Sequence, residues 1–358
     1  MTVFLTGGTG FLGQYLLAEL LQRGRRVCAL YRNERKRQRT EHFLKNLSIP
    51  GGSGLLRWLQ GDILQIHSEW EDWCRKTPLL KEADTILHSA ASLRFFENDS
   101  GEPYKTNVKG AEALYRLVSR TPMKLYLMST AFVCGLVPEG TVYERIHPQG
   151  DFVNDYEKSK WQAERILSDK ATILRPGIIV GHSQTGSADS FTGWYKIVKI
   201  LHMLDQSFGG NANESRYHLG INIPSDPSAT VNIVPVDYVA KAAVQLIEDP
   251  VNHGNIFHLT HRAPPTMEWN LRVLCERFRL GGLTFSGPQA EVAQPATSLH
   301  QMIHQQALPM LTYFSNNPTF DRTHTDMALP NLPVPDITSD LVNRLIDYAV
   351  SKNWGQPL

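Results

Sequence analysis

The sequence predicts an α/β fold built on a doubly wound parallel sheet, with a smaller C-terminal lobe. Short apolar strands alternate with helical stretches from residue 3 to about residue 180, which is typical of parallel sheets. The first strand, at residues 3–5, runs directly into a glycine-rich segment and then into a helix. Ligands of such sheets bind where strands end. The polar or small residues found at predicted strand ends are Gly7, Arg32, Asp62, Ala90 and Thr130.

The glycine-rich segment lies where the first strand turns into the first helix. Residues 6–13 read Thr-Gly-Gly-Thr-Gly-Phe-Leu-Gly, and apolar residues at helical spacing follow up to about Gly24. Gly7 would make the tight turn, Gly10 would let the backbone approach a pyrophosphate, and Gly13 would let helix and strand pack closely. This context predicts a Rossmann-type dinucleotide site with phosphates on the helix N-terminus. The cofactor contacts expected from this segment are Thr6, Gly7, Thr9, Gly10, Phe11, Leu12 and Gly13.

The second strand, at residues 27–31, indicates which dinucleotide is bound. An NAD site carries Asp or Glu about 20 residues beyond the glycines, whereas this strand ends in Tyr31-Arg32-Asn33 and a run of cations follows up to Arg39. A forked guanidinium suits a 2′-phosphate, although most charge runs are only solvated loops. We therefore expect NADP (NADPH) as the cofactor, with Arg32 as the best single candidate for its 2′-phosphate.

The later strands supply further candidate cofactor contacts. Strands are predicted at residues 55–59, 85–88, 124–129 and 171–174, and helices at about residues 104–120 and 155–168. His88 ends one of these strands and is interpreted as part of the cofactor wall, not as an acid. The residues expected to contact the cofactor beyond these strand ends are Asp62, Ile63, Ala90, Ala91, Ser129, Pro176 and Ile178.

The character of the chain changes after residue 181. Residues 182–230 are rich in Gly, Ser, Asn and Asp around one apolar helical stretch at 194–204, and residues 263–335 are rich in proline. Residues 231–236 and 256–260 predict a return to the sheet, and a last helix follows residue 336. We therefore assign residues 1–181 and about 231–262 to an NADP-binding Rossmann domain. Residues 182–230 and 263–358 form the predicted substrate-binding lobe.

The composition is that of an ordinary globular protein. The chain has 358 residues, 42% of them hydrophobic, and a net charge of +1, so no overall field favours nucleic acid. Four widely spaced cysteines without a CxxC pair, and histidines without ligand spacing, argue against a metal and favour a reduced, cytoplasmic setting. A core strand beginning at residue 3 argues against a signal peptide. No apolar run approaches the roughly 18 residues of a membrane span.

A candidate catalytic group lies around Tyr156. Tyr156 and Lys160 are four residues apart and share one face of a predicted helix. A nearby ammonium and an oxidised nicotinamide would bring the pKa of the tyrosine from about 10 toward neutrality. Thr130, at a strand end, would stabilise charge on a substrate oxygen, and Asn107 would hold a water that connects Lys160 to solvent. The expected catalytic residues are Thr130, Tyr156, Lys160 and Asn107, of which Tyr156 and Lys160 would also contact the cofactor.

These motifs resemble those of the extended short-chain dehydrogenase/reductases. The glycine loop, Asn107 and the Tyr156/Lys160 pair carry this resemblance. The segments Ile-Leu-His-Ser-Ala-Ala-Ser-Leu-Arg-Phe at 86–95, Met-Ser-Thr-Ala-Phe-Val at 128–133 and Leu-Arg-Pro-Gly-Ile-Ile-Val at 174–180 carry a narrower one. They are similar to fatty acyl-CoA reductases and to the thioester reductase domains of carboxylic acid reductases and peptide synthetases, as are Gly193-Trp194 and residues 234–239. The resemblance covers roughly residues 1–265, and the last 90 or so residues match no known pattern.

The resemblance implies an oxidoreductase that uses NADPH to reduce an acyl thioester, carried by CoA or an acyl carrier protein. Thr130 and Tyr156 would hold the oxyanion, and the hemithioacetal would collapse to aldehyde and thiol, with alcohol as the product of a second reduction. Two alternatives stay open. The first is a related dehydrogenase or epimerase that acts on a free alcohol, a ketone or a nucleotide sugar. The second is a non-catalytic NADP sensor, and the presence of the Tyr156/Lys160 pair argues against it. The apolar residues expected to line an acyl groove are Phe191, Trp194, Tyr195, Ile197, Val198, Ile200 and Leu201.

Overall fold

The computed structural model describes residues 1–49, 54–208, 217–223, 225–285, 287 and 317–356. The strands within these residues are β1 Thr2–Thr6, β2 Arg26–Tyr31, β3 Leu56–Gln60, β4 Thr85–His88, β5 Lys124–Met128, β6 Gly140–Val142, β7 Ala171–Pro176, β8 Ile178–Val180, β9 Tyr217–Ile223, β10 Ile233–Pro235, β11 Ile256–Leu259, β12 Leu280–Phe285 and β13 Pro318–Phe320. Seven of the described strands form one parallel sheet in the order β11-β7-β5-β4-β1-β2-β3. The order reverses between β1 and β4, which opens a crevice at their carboxyl ends. The predicted doubly wound parallel sheet is therefore confirmed.

Helices follow most strands and cover both faces of the sheet. The helices of the described residues are α1 Phe11–Gln22, α2 Glu34–Asn46, α3 Ile66–Lys76, α4 Pro78–Lys81, α5 Gly110–Val118, α6 Asp155–Leu167, α7 Trp194–Phe208, α8 Val236–Glu248, α9 Met267–Arg277, α10 Thr323–Ala328 and α11 Ser339–Ser351. Their starts are set locally by capping. Asn154, for example, begins α6 by accepting a hydrogen bond from the N–H of Glu157 at 3.0 Å.

Two regions contain helices that the sequence patterns did not predict. The basic run after Arg32 forms the first turns of α2, because the Asn33 side chain caps it by accepting a hydrogen bond from Lys36 N–H at 3.0 Å. In the proline-rich region, Thr266 caps α9 by accepting from Trp269 N–H at 3.1 Å, and β12 follows. Residues 288–316 of that region lie outside the described residues.

Three large apolar cores and one small one organise the described residues. Residues of α1 and α8 pack on one face of the sheet, and residues of α3, α5 and α6 pack on the other. The third core joins α7, α9 and α11 with residues of β9 and β12. Burying each large apolar side chain stabilises such a core by roughly 1.5–3 kcal/mol. The part of the chain after residue 181 thus has a core of its own, next to the crevice.

Residues 317–334, which the sequence division places in the lobe, pack against the sheet instead. Strand β13 pairs in parallel with β6, and Leu329 and Leu332 contact the core shared by α1 and α8. The buried Glu144 explains this return, because its carboxylate accepts a hydrogen bond from His258 N–H of β11 at 2.8 Å and one from the Thr325 hydroxyl of α10. The domain boundaries otherwise stay an interpretation of the sequence.

The structure also bears on the predictions about a membrane span and a metal site. No helix in the described part of the chain is long and apolar enough to cross a membrane. In the same residues, no cluster of three or more His, Cys, Asp or Glu is placed to hold a metal ion. His88 is buried at the end of β4, where its Nδ1 lies 2.7 Å from the Thr6 hydroxyl, and burial lowers the pKa of this histidine to about 3. The ring is therefore neutral and hydrogen-bonded to Thr6.

Candidate active site

The glycine turn between β1 and α1 lies at the crevice. Gly7 has a φ of +74°, which favours glycine, and a Cβ there would lie 2.5 Å from the backbone nitrogen of Ala90. A Cβ on Gly13 would lie 1.9 Å from the carbonyl oxygen of Gly7. Gly10 is the N-cap of α1, and its N–H donates to the Gly7 carbonyl at 2.9 Å. The turn thus presents bare backbone at a helix N-terminus, an arrangement that fits a dinucleotide pyrophosphate.

A small cavity of about 160 Å³ continues from the glycine turn past the end of β2. Its wall includes Arg32 and Lys36. The Arg32 side chain is 63% exposed, and its Nη1 lies 3.5 Å from a carboxylate oxygen of Asp62. Two cations around a cavity of this size fit a 2′-phosphate. The sequence analysis named Arg32 and missed Lys36. The two residues are four positions apart, on either side of the N-cap Asn33, and this spacing could have indicated that both border one cavity.

A larger cavity of about 770 Å³ opens on the other side of the glycine turn. The two cavities share Gly7, Gly10, Ser89 and Ala91, so they form one continuous cleft. The volume is that of a small-molecule site, for which about 300–1,000 Å³ is usual. Its wall is largely apolar and aromatic, which favours an apolar ligand group. The apolar side chains of the wall are Leu93, Phe95, Phe96, Met128, Phe132, Pro176, Ile178 and Ile179.

Thr130 and Tyr156 form a polar end of the large cavity. Thr130 follows β5 and caps the turn Ala131–Cys134, with its hydroxyl accepting from Phe132 N–H at 3.4 Å. Tyr156 lies in the first turn of α6, and a side-chain hydrogen bond joins it to Thr130. Burial, with the nearby charge of Glu157, raises the pKa of Tyr156 above its ordinary value of 10. The phenol is therefore protonated at neutral pH and can donate a hydrogen bond to a substrate oxygen.

Lys160 lies one turn further along α6. Its side chain is buried, and its ammonium donates to the Met128 carbonyl at 2.6 Å. Burial lowers the pKa of Lys160 to about 8, although the charge of Glu164 acts in the opposite direction. Without a cofactor, the pKa of Tyr156 does not fall as the sequence analysis expected. Burial is the largest influence on this pKa and raises it, and the Lys160 ammonium donates to a backbone carbonyl.

A buried ion pair lies one turn beyond Lys160. Both nitrogens of the Arg175 fork reach the Glu164 carboxylate, at 3.0 and 2.7 Å, and both side chains are almost fully buried. The Arg175 guanidinium also lies 3.3 Å from His258 Nε2. Burial lowers the pKa of His258 to about 3, so the neutral ring can accept this hydrogen bond. The charge-assisted pair fixes α6, which carries Tyr156 and Lys160, against β7.

Most of the predicted site residues line the cleft, and Thr6 and Asp62 lie behind it. The Thr6 hydroxyl is bound to His88 and also accepts from Ala90 N–H at 3.3 Å. The Asp62 carboxylate caps the turn Ile63–Gln65 by accepting from Leu64 N–H at 3.0 Å. Both side chains are used by local structure. The predicted residues that line the cleft are Gly7, Thr9, Gly10, Phe11, Leu12, Gly13, Arg32, Ile63, Ala90, Ala91, Ser129, Thr130, Tyr156, Lys160, Pro176 and Ile178.

Asn107 also lies behind the cavity wall, in the π-helical turn Lys105–Lys109. Its amide nitrogen donates to the Ser92 carbonyl at 3.0 Å and to the Ser159 hydroxyl at 2.9 Å, and its oxygen accepts from Ser92 N–H at 2.9 Å. The side chain is thus committed to holding the wall loop against α6. The role of Asn107 in holding a water near Lys160 stays a prediction, because its amide oxygen accepts one hydrogen bond here and can accept a second.

The apolar residues of α7 do not line the cavity, contrary to the sequence-based expectation. Trp194, Tyr195 and Val198 are 3%, 1% and 0% exposed and belong to the core of the lobe. Helical spacing of aromatic residues is the usual mark of a core-facing stripe. Sequence reasoning missed that Leu93 and Phe96, in the loop after β4, supply the apolar wall. Their side chains are 57% and 61% exposed.

Comparison with known proteins places the chain among nicotinamide-dependent proteins. A family model described as Male sterility protein, an NAD-binding family, matches residues 5–243. The chain is 24% identical over 397 residues to the non-canonical nonribosomal peptide synthetase hkm10 of Aspergillus hancockii, an alignment that covers 97% of this chain and 36% of that protein. It is 25% identical over 415 residues to the aldehyde reductase lnaA of Aspergillus flavus, with the same coverages of 97% and 36%. The chain thus spans about a third of the length of these relatives.

A solved structure has a similar fold over nearly the whole chain. The terminal R domain from the myxalamid PKS-NRPS biosynthetic pathway matches with a TM-score of 0.76 and 23% sequence identity. The match covers 99% of this chain and 91% of that domain. It includes the segment after residue 265, for which the sequence alone suggested no relative. The stretch matched by the family model contains the glycine turn, Thr130, Tyr156 and Lys160.

Proposed function

Because the chain belongs to the NAD-binding Male sterility protein family, and so to the extended short-chain dehydrogenase/reductases, we propose that it is an NADPH-dependent reductase of acyl thioesters. The observation that carries this proposal is the Thr130–Tyr156–Lys160 group, with Thr130 and Lys160 buried and Tyr156 partly exposed, at the polar end of an apolar cavity that continues into the cofactor cleft. The products are an aldehyde and a free thiol. A second reduction in the same site converts the aldehyde into an alcohol.

Thr130 and Tyr156 act on the carbonyl oxygen of the substrate. Bound NADPH supplies the hydride that the carbonyl carbon receives. As negative charge develops on the oxygen, the two hydroxyl groups donate hydrogen bonds to it, and Tyr156 transfers its proton. In the resulting hemithioacetal the C–S bond breaks, the hydroxyl becomes the aldehyde carbonyl and the sulfur leaves as a thiol. The raised pKa of Tyr156 suits this direction, because the acid is protonated before the reaction.

Lys160 keeps a positive charge near the developing phenolate of Tyr156. With a pKa of about 8 it is mostly charged at neutral pH, and an opposite charge nearby favours the ionised form of a phenol. Lys160 lines the cleft, and because its ammonium donates only one of its three N–H groups to the Met128 carbonyl, the others can reach the cofactor. From there it holds the ribose hydroxyls next to the nicotinamide. Lys160 therefore serves both cofactor binding and proton transfer.

The cleft favours NADPH over NADH. Arg32 and Lys36 line the small cavity, where the adenosine end of a dinucleotide lies in this fold. The carboxylate closest to Arg32, that of Asp62, lies at 3.5 Å and is turned toward the Leu64 N–H. Asp62 thus caps the turn with one oxygen and makes only a long, exposed ion pair with Arg32 through the other, so that Arg32 and Lys36 can both meet a 2′-phosphate.

The apolar wall supports an acyl chain as the group that the large cavity holds. Phe95 and Phe96, from the loop after β4, and Ile178, from β8, border the same space as Tyr156. The names of the relatives, which include an aldehyde reductase and several peptide synthetases, support a carbonyl substrate delivered as a carrier-bound thioester. An acyl carrier protein is accordingly the proposed macromolecular partner.

A series of thioesters tests the proposal. We expect N-acetylcysteamine thioesters of increasing acyl length to consume NADPH, with kcat/KM rising up to about fourfold per methylene, equivalent to 0.8 kcal/mol, until the cavity is full. Mass spectrometry should detect aldehyde or alcohol. If no thioester reacts while a free ketone or a nucleotide sugar does, the alternative dehydrogenase or epimerase function replaces this one.

A further inference from the structure

Two cations from distant parts of the chain meet at the mouth of the large cavity. Arg94 belongs to the loop after β4, and Lys196 belongs to the first turn of α7; both are exposed and both line the cavity. The Lys196 ammonium lies 5.5 Å from the centre of the Phe95 ring. This contact places the lysine directly against the loop that carries Arg94.

The loop that carries Arg94 is anchored directly after this residue. The Phe95 carbonyl accepts from Asp155 N–H at 2.8 Å, and the Asp155 carboxylate accepts from Glu97 N–H at 2.8 Å. The second oxygen of Asp155 accepts from the Tyr104 hydroxyl at 2.7 Å. Asp155 precedes Tyr156, so the mouth of the cavity is fixed relative to the catalytic tyrosine.

The charge at the mouth is positive. Within the described residues, neither Arg94 nor Lys196 is engaged in an ion pair. Glu97 contributes one carboxylate to the same wall, which leaves one net positive charge. Lys196 lies in the first turn of α7, where no acidic residue is present and the helix dipole adds positive potential. A cation at that end of a helix is unfavourable for the helix itself but favourable for an anionic ligand.

We propose that Arg94 and Lys196 form a binding site for the phosphate of a phosphopantetheine arm that presents the acyl thioester. The proposal rests on the proposed thioester function. About 13 bonds separate the sulfur from the phosphorus of such an arm, which places them roughly 15 Å apart when it is extended. Tyr156, Arg94 and Lys196 border the same cavity, so an arm of this length with its thioester at Tyr156 can extend along the cavity and present its phosphate to the two cations. Arg94 offers forked hydrogen bonds to the phosphate oxygens, and Lys196 offers a mobile point charge.

Binding of two thiols that differ only in the phosphate tests this site directly. Titration calorimetry on the full chain with NADP⁺ should show 4′-phosphopantetheine binding about tenfold more tightly than pantetheine. The Arg94→Gln/Lys196→Gln double variant should lose this difference. Lys199→Gln, which changes a cation on α7 outside the cavity wall, is the matched control and should retain it. Equal affinity of the native protein for the two thiols would overturn the proposal.

Turnover with the corresponding thioesters separates this inference from the proposed function. With one acyl group throughout, the phosphopantetheine thioester should have about a tenfold lower KM than the pantetheine thioester. Reduction of both with equal KM overturns the phosphate site and leaves the reductase function intact; reduction of neither overturns the reductase function. A CoA thioester distinguishes the source of the arm. If the CoA thioester has the same KM as the phosphopantetheine thioester, recognition ends at the phosphate, as it would on a carrier protein. If the CoA thioester has a lower KM, the protein also binds the nucleotide part of CoA, and CoA is the source of the arm.

Discussion

The cofactor side and the substrate side of the cleft are built by different means. The cofactor side consists of backbone at the ends of β1, β2 and β4, where Gly7 and Gly13 leave no room for a Cβ. The substrate side consists of side chains from the loop after β4, from residues 176–179 and from the start of α7. One side is fixed by the sheet, and the other depends on how loops fold over it.

This difference determines where sequence variation should matter. Backbone geometry tolerates few residue types, so a change on the cofactor side should act through steric conflict and affect every substrate alike. Side chains such as Leu93 and Phe96 are half or more exposed, so a change there should alter which substrate binds. The proposed catalytic residues Thr130 and Tyr156 lie between the two sides, so changes there should affect chemistry alone.

The largest effect is expected for Tyr156→Phe. This change removes the proton donor and preserves the ring, so kcat should fall by about 10²–10⁴-fold, while the affinity for NADPH changes little. Stopped-flow hydride transfer and titration calorimetry measure the two quantities. A Tyr156→Phe variant with native hydride-transfer rate would show that another group supplies the proton.

A smaller but still large effect is expected for Gly7→Ala, which tests the rigid side. A Cβ at this position meets the Ala90 backbone, so NADPH affinity should fall by about 100-fold, equivalent to roughly 2.7 kcal/mol. Gly24→Ala is the matched control, because Gly24 has a similar φ of +68° but nothing within 4 Å of its Cβ position. It should lower the melting temperature slightly and leave NADPH affinity unchanged. Equal losses of affinity in the two variants would contradict the steric account.

An intermediate effect is expected for the Arg32→Gln/Lys36→Gln double variant. Loss of two cations at the small cavity should weaken NADPH by about tenfold and leave NADH unaffected, since exposed charges contribute modestly. Arg35→Gln alters an exposed cation of α2 outside the cavity and should have no effect. Equal binding of NADPH and NADH by the native protein would rule out the proposed preference.

The smallest effect is a shift in pH dependence. The pKa of Lys160 is lowered to about 8, so the residue is charged below this pH, and kcat/KM should fall as the pH rises through about 8. The charge of Glu164 raises this pKa, so Glu164→Gln should move the fall to lower pH. Lys160→Arg should remove it, because a guanidinium stays charged. A fall at the same pH in all three proteins would assign it to another group.

The sequence predicted the glycine turn and the cleft at the strand ends for a physical reason. Glycines at fixed spacing, and strands that end at one edge, are local signals that the sheet converts into one site. The substrate side escaped prediction because helical periodicity cannot tell a core stripe from a cavity wall, as Trp194 and Tyr195 illustrate. The commitment of Asn107 to Ser92 and Ser159, and the contact of residues 317–334 with the sheet, depend on long-range packing that no local pattern encodes.

The stoichiometry of a single reaction tests the central claim most directly. A medium-chain acyl pantetheine thioester should be incubated with the full chain and NADPH, and thiol, aldehyde, alcohol and NADP⁺ should be measured in the same sample. The account predicts one thiol released for every aldehyde or alcohol formed, with one NADPH oxidised per aldehyde and two per alcohol. Oxidation of NADPH without thiol release, or hydrolysis of the thioester to thiol and carboxylic acid without NADPH oxidation, would contradict it.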